Sequence, residues 1–314
     1  MEWRADLETR YSTNPFRYSD EALSDFDDDR GAGERFDGLD SEGDLVTTLG
    51  VKGEVGFALD SKRDLTLALG VEHSLFLQNS IADYTELGAG LEFEATRVDT
   101  FSLGAEFVPS RFKKNYRTPG GGPFDAAEYD QIELGVEYER ELGKRWSAGV
   151  GYERQDRSFP SDFDARDREG DTFYAFVEND PKGPWEWGVE VAFGTFDTGT
   201  ELKGTVEVDR SNEQIGVSPW VRRKFDDWRV ELAVDYRQRE YTTNVAADDR
   251  RFDRVDDKYR LKIEAERKLG VKGLRLLLHA GLNLNDAGVE DPCVTSDEVG
   301  YEEYVVGIGL QYRF

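Results

Sequence analysis

A two-residue period constrains this chain more than any other feature. Counting back from the C-terminus, Phe314, Tyr312, Leu310, Ile308, Val306 and Tyr304 are apolar, while Arg313, Gln311, Gly309 and Gly307 between them are polar or small. Successive side chains of an extended strand point to opposite faces, so this segment has one apolar face and one polar face. The same alternation recurs in Leu87, Ala89, Leu91 and Phe93, in Phe101, Leu103, Ala105 and Phe107, and in Ile132, Leu134, Val136 and Tyr138. It returns in Trp185, Trp187, Val189, Val191 and Phe193, and from Leu274 through Leu284. A sheet built of such strands has oil on one side and water on the other.

Two kinds of connection separate these segments. Short turns are expected at Asp60 to Asp64, Thr96 to Asp99, Arg140 to Arg145, Asn179 to Pro184, Asp226-Asp227 and Arg267 to Gly273. Long polar connections are expected at about 12–43, 78–84, 110–128, 154–170, 195–213, 239–256 and 286–300. Six short turns and seven long connections separate fourteen strands, an even number that brings both termini to one side. In Asp171 to Glu178 the neighbouring Phe173, Tyr174 and Phe176 leave the facing open.

Average composition conceals this pattern. With 34% charged and 38% hydrophobic residues and a mean hydropathy of −0.66, the chain averages like a soluble protein. A membrane barrel, however, needs apolar residues only on the outward half of each strand. The sequence has no run of about 20 apolar residues, which excludes a helical span. A net charge of −26 argues against nucleic acid as a partner, because phosphate binding needs a basic surface. Residues 1–314 read as a single domain, and strand-like sequence directly after Met1 reads as a mature chain whose export signal gave way to a start codon.

Aromatic residues mark both ends of the outward faces. Trp3, Phe101, Trp146, Trp185 and Trp228 open a face at the chain start or just after a short turn, and Tyr11, Phe107, Tyr152, Phe193 and Tyr236 follow six or eight residues later. At about 3.3 Å per residue and a tilt near 40°, the two sets lie roughly 15–20 Å apart. That fits within an apolar band about 25 Å tall with aromatic girdles.

The alternating last strand, with Phe314, Tyr312 and Leu310 on its apolar face, resembles the β-signal by which bacterial outer-membrane barrels are handed to their assembly machinery. The layout is similar to that of fourteen-stranded monomeric porins. The resemblance implies an all-β, antiparallel, up-and-down transmembrane barrel, integral to the outer membrane, with periplasmic termini, short periplasmic turns and long acidic extracellular loops. It also implies the lipid bilayer, lipopolysaccharide, the assembly machinery and small solutes as partners, with passive diffusion of hydrophilic solutes as the activity. Asn14-Pro15-Phe16 resembles the strand-one exits of several uncharacterised outer-membrane families. That second likeness implies the alternative of a barrel or anchor in an export or surface-assembly complex, with a protein partner at the periplasmic or extracellular face.

The opposite parity gives the lumen. An acidic wall is expected from Glu92, Glu106, Glu133, Glu137, Glu186 and Glu190, and a basic wall from Arg222, Arg229, Arg237, Arg260, Lys262 and Arg275. Charges on the lipid side would cost about 2–4 kcal/mol each near the midplane, so a barrel forces them inward. Opposed walls set a transverse field that makes passage sensitive to solute charge. Pairing of Arg260 and Lys262 with Glu264 and Glu266 along the wall is the competing expectation. Inward glycines, including Gly88, Gly90, Gly104, Gly135, Gly149, Gly151, Gly188 and Gly307, are expected to leave the lumen open, since fourteen strands exceed the roughly eight that side chains can fill.

The remaining chemistry is sparse. Asp25, Asp27, Asp28 and Asp29 form an acidic run that could attract a divalent cation, although the spacing matches no EF-hand and a solvated loop explains it better. The two histidines, His73 and His279, lack a nucleophile motif beside them and are expected to be structural; a rim-active enzyme and a soluble acidic β protein are the lesser alternatives. The single Cys293 reads as a loop thiol. No cofactor is expected.

Overall fold

The computed structural model describes residues 1–28, 36–118, 123–179, 183–199, 201–203, 206–243, 251–288 and 300–314. The alternating segments form β1 (Glu2–Ser12), β2 (Asp44–Ala58), β3 (Asp64–Phe76), β4 (Tyr84–Glu94), β5 (Asp99–Arg117), β6 (Phe124–Glu141), β7 (Trp146–Ser158), β8 (Arg168–Asn179) and β9 (Trp185–Thr198). A separate small pair, β10 (Glu201–Lys203) and β11 (Val206–Val208), precedes β12 (Asn212–Phe225), β13 (Trp228–Tyr241), β14 (Val255–Lys268), β15 (Leu274–Gly288) and β16 (Tyr301–Arg313). Apart from β10 and β11, the strands close into one antiparallel barrel of fourteen, each beside its neighbours in sequence, with β1 meeting β16. The expected fold class and strand count are those of the structure. No described helix is long and apolar enough to cross a membrane.

Closure removes the sheet's edges, so every ladder hydrogen bond is made within the barrel. At the seam, the backbone amide of Trp3 donates to the Phe314 carbonyl at 3.0 Å and the Phe314 amide donates back at 3.0 Å. On the other side of the last strand, the Arg313 amide donates to the Gly273 carbonyl at 3.0 Å. Gly273 has φ +82°, and a Cβ there would stand 2.2 Å from the Arg313 carbonyl oxygen, so that turn requires glycine. In the turn between β2 and β3, Asp60 accepts hydrogen bonds from the Arg63 side chain and from the amides of Lys62 and Arg63, which hold its carboxyl below the usual carboxylate range.

Outward parity holds throughout the barrel. Leu69, Leu103, Leu134, Val150, Val191 and Ile308 are exposed, each on the face opposite the charges. Rings meet across strands at both ends of this apolar surface. Near the short turns, Phe101 lies 5.0 Å from Tyr138 and Trp146 lies 5.1 Å from Trp187. Toward the long connections, Tyr152 lies 5.0 Å from Phe173 and Tyr236 lies 5.2 Å from Tyr259. The open facing of β8 is thereby settled: Phe173 pairs with outward Phe193, so Tyr174 and Phe176 face the lumen.

Two of the expected long connections are shorter than expected because their ends are strand. β5 and β6 run to Arg117 and from Phe124, covering most of 110–128, and β7 and β8 leave only 159–167 between them. Pro109 lacks an amide donor, and the ladder shifts register between Val108 and Arg111 and again between Phe112 and Lys114, which breaks the alternation that would have marked the strand. In the other case outward Arg154, Asp156 and Glu169 are charged, with Arg154 bridging to both acids, so neither face reads as apolar.

Among the described residues, a buried apolar cluster joins the first connection to the barrel wall. It lies under the first connection, where α1 (Asp20–Asp28) brings Ala22 and Phe26 onto Phe16, Tyr18, Phe36 and Leu39, and all rest on Phe76, Ala82 and Phe112. Buried Asn14 ties the entry by donating to the Tyr18 and Glu302 carbonyls and accepting from the Tyr18 amide. Asp44 and Asn79, both fully buried, fix the exit: Asp44 accepts from the amides of Gln78 and Asn79, and Asn79 accepts from those of Asp40 and Ser41. The Asn14-Pro15-Phe16 stretch thus anchors a folded cap rather than starting a loose loop.

Candidate channel lumen

Inward parity concentrates charge along the inner wall in three layers. At the short-turn end the charges are paired. Glu186, 4% exposed, is bridged by Arg222 at 3.2 Å and by Lys224, and Arg222 also bridges Glu231 at 2.5 Å. Arg275 bridges Glu266 at 2.8 Å, and Lys262 bridges Glu264 at 2.9 Å. Arg229 stands in register between Lys224 and Glu266. Glu186 therefore sits inside a cationic clamp rather than on an open acidic wall.

The middle layer is acidic on one side. Glu106 and Glu133 are direct cross-strand partners, as are Glu72 and Glu86, and these four with Glu153, Arg4 and Lys52 line a cavity of about 350 Å³. Open glycines make that space: a Cβ on Gly88 or Gly104 would meet nothing within 4 Å. Glu92 lies in register with Thr66 and Ser102, nearer the short turns. Glu137 accepts a hydrogen bond from the Tyr174 hydroxyl at 2.9 Å.

Other inward glycines do not leave space. A Cβ on Gly149 would stand 2.4 Å from the Phe176 ring, on Gly151 2.1 Å from Tyr174, and on Gly188 2.6 Å from the Trp220 indole. On Gly307 it would stand 2.1 Å from the His279 ring. The expectation that the inward glycines hold the lumen open is corrected for these four, each of which seats a lumenal ring from a neighbouring strand that lies over a position lacking a side chain. His279 also places Nδ1 3.6 Å from a Glu8 carboxylate oxygen, and outward His73 meets the Thr85 hydroxyl at 3.0 Å.

The third layer, at the long-connection end, is basic. A cavity of about 920 Å³ is lined there by Arg111, Lys113, Arg157, Arg168, Arg239 and Lys258, and by Arg17 from the first connection. Glu190 and Arg237 line its deeper part, Arg237 bridging Asp235 at 3.2 Å. Arg260 donates to the Asn283 side-chain oxygen at 3.0 Å. Arg111, Lys113, Arg157 and Arg168 were expected in connections, yet Glu153, Gln155 and Arg157 keep one parity, a signal that β7 continues. Asp25 lies on α1, while Asp29, Cys293 and the side chains of Asp27 and Asp28 fall outside the described residues.

Neither a family model nor a curated protein sequence matches the chain. Among solved structures, it is similar to the outer membrane channel DcaP of Acinetobacter baumannii, at 12% identity over 99% of this chain and 96% of that one, with a TM-score of 0.52. The fold is that of the outer-membrane β-barrels. Weaker likenesses within this group include a loop-deletion mutant of OmpT, an outer membrane protein of Vibrio cholerae, at 14% identity over 100% of this chain and 99% of that one, with a TM-score of 0.47. An anion-selective porin from Comamonas acidovorans is 10% identical over 100% and 99%, with a TM-score of 0.44. In an outer-membrane barrel, rows of paired rings of this kind form girdles at the lipid interfaces, and the inner face is the polar one.

Proposed function

We propose that the chain is a porin-like channel of the bacterial outer membrane through which small hydrophilic solutes diffuse passively. The observation that carries this reading is a closed barrel whose inner face is charged and leads from a cavity of about 920 Å³ to one of about 350 Å³. An enclosed volume walled by charge is kept wet, because charged groups are costly to dehydrate without full pairing. Selectivity is assigned to the acidic wall of Glu92, Glu106, Glu133, Glu137 and Glu190, facing a basic wall of Arg229, Arg237, Arg260 and their neighbours. The ring order supports that opposition: β5 is seven places from β14 among the fourteen strands, and β4 is seven from β13. The termini and short turns are assigned to the periplasmic side, lipopolysaccharide to the outer rim, and the apolar face ending in Phe314 to recognition by the assembly machinery.

Single-channel recording in a planar bilayer tests the proposal. The expected result is a stable open current whose ion preference moves toward cations when Arg229, Arg237 and Arg260 are changed together to Glu. A bilayer that stays silent with folded, heat-modifiable protein overturns it.

A further inference from the structure

The mouth gathers like charge that its surroundings neutralise only in part. Arg157 on β7 and Arg168 on β8 are direct cross-strand partners, as are Arg237 on β13 and Lys258 on β14. Like charges placed directly opposite destabilise a sheet. Lys113 has Lys114, Arg157, Arg17 and Arg111 as like-charged neighbours, and Arg168 has Arg239 and Arg157, while the Glu133 carboxylate acts on Arg157. Carboxylates neutralise part of this group: Asp235 bridges Arg237, Glu303 bridges Arg17 and Asp256 bridges Arg254, whereas among the described residues Lys113, Arg157, Arg168, Arg239 and Lys258 make no salt bridge. Glu133, Glu153 and Glu190 line the same cavity, but Glu153 sits four residues closer to the short turns than Arg157. A chain of net charge −26 thus carries a concentrated positive field at one place.

Aromatic rings set the orientation of these cations. The Arg168 guanidinium lies over the Phe196 ring at 3.8 Å, Arg157 over Tyr129 at 5.1 Å, and Arg239 over Tyr241 at 5.9 Å. A guanidinium held by its flat face presents its N–H edge outward, and that planar fork matches a carboxylate or phosphate. Arg157 donates from Nε to the Gln131 side-chain oxygen at 2.8 Å, and Arg239 donates one terminal N–H to the Tyr241 hydroxyl at 3.3 Å. The Nε atoms of Arg168 and Arg239 are buried and have no hydrogen-bond partner. A buried donor without an acceptor is costly unless a ligand supplies one. Close like charges, ring-stacked forks and unsatisfied donors together describe a site shaped for an anion.

We propose that Arg157, Arg168 and Arg239, with Lys113 and Lys258 beside them, form an oxoanion-binding site in the barrel mouth for a small carboxylate or phosphate. Its role as the entry filter of a channel rests on the function proposed above, whereas binding itself does not. The two layers then act in series. The basic mouth concentrates the anion, and the acidic cluster of Glu106 and Glu133 below opposes its onward passage unless the solute also carries positive charge.

The test titrates full-length protein in detergent micelles with inorganic phosphate and, separately, with succinate, by calorimetry at low ionic strength. Saturable binding of either probe below about 10 mM is expected, and the tighter one identifies the chemical source. Changing Arg157, Arg168 and Arg239 together to Gln is expected to weaken binding about tenfold or more, while Arg63→Gln on an exposed turn leaves it unchanged. Should the triple variant not fold, Arg168→Lys, which keeps the charge and loses the fork, is expected to weaken binding severalfold. Absence of binding for both probes, or unchanged affinity in the variants, overturns the site. A silent bilayer with intact binding sinks the channel alone, and a conducting barrel without binding sinks the site alone.

Discussion

The Tyr174 ring lies so flat across Gly151 that a Cβ on residue 151 would stand 2.1 Å from the ring's Cζ. The same tyrosine donates its hydroxyl to Glu137 at 2.9 Å, so the glycine allows a hydrogen bond between β8 and β6 that passes over β7. Gly151→Ala is expected to displace the ring, break that bond and cost roughly 1–3 kcal/mol through overpacking. Gly104→Ala is the opposite case, since its Cβ would meet nothing within 4 Å. There a gain of roughly 0.5 kcal/mol is expected from reduced freedom of the unfolded strand. Urea unfolding of both variants in lipid vesicles checks the pair, and equal effects would refute the division of the lumen into filled and open glycines.

At the seam, Phe314 contributes both its amide and its carbonyl to Trp3. Deleting Phe314 therefore removes two ladder bonds, whereas Phe314→Ala removes only the ring. The deletion is expected to cost about 2 kcal/mol, taking about 1 per bond, and the alanine variant distinctly less, read as the temperature at which heat-modifiable migration is lost. Assembly in cells separates stability from signalling. If the apolar face of β16 is read by the assembly machinery, Phe314→Ala lowers the amount of protein in the outer membrane more than its stability in vitro accounts for.

The strand order and the inward charges were legible because both rest on parity, which any half-apolar sheet writes into its sequence. Fourteen strands, the short turns and the facing of Glu106, Arg222 and Arg275 all follow from counting alternate residues. Parity failed where the two faces stopped differing. Arg154 and Asp156 make the outer end of β7 charged on its outward face, and the register shifts around Pro109 and Ser110 hide the outer half of β5. The basic mouth lies in those stretches, so Arg111, Lys113, Arg157 and Arg168 were invisible as a cluster. The seating of Tyr174 on Gly151 was also hidden, because alternation gives a residue's face but not which neighbouring strand its ring covers.

Glu186 holds two cations and is 4% exposed, so its loss leaves Arg222 and Lys224 facing each other without an acid between them. Glu186→Gln is expected to cost about 1–3 kcal/mol, the scale of losing hydrogen bonds to charged groups, because Lys224 is half exposed and Arg222 is still retained by Glu231 at 2.5 Å. The released Lys224 adds positive charge to the short-turn end of the lumen. A shift of reversal potential toward anions under a salt gradient checks the electrostatic half, and a lowered melting temperature checks the structural half.

The first connection is held at the mouth by rings rather than by the barrel ladder. Phe16 lies 5.7 Å from Phe112 on β5, 6.2 Å from Phe76 on β3 and 6.2 Å from Tyr18. From the same segment, Arg17 lines the basic cavity, bridges Glu303 at 3.2 Å and accepts a hydrogen bond at its carbonyl from Lys114 at 2.8 Å. Phe16→Ala removes the ring on which the cap's other aromatics close, a loss of about 3–5 kcal/mol for a buried phenylalanine. That energy holds the cap and not the barrel, because the ladder from β1 to β16 does not pass through it. The expected outcome is a barrel that keeps its heat-modifiable migration but is cut by protease within residues 17–43, with a larger single-channel conductance as Arg17 leaves the mouth. Protease resistance equal to that of the unaltered chain would show that Phe16 does not hold the cap.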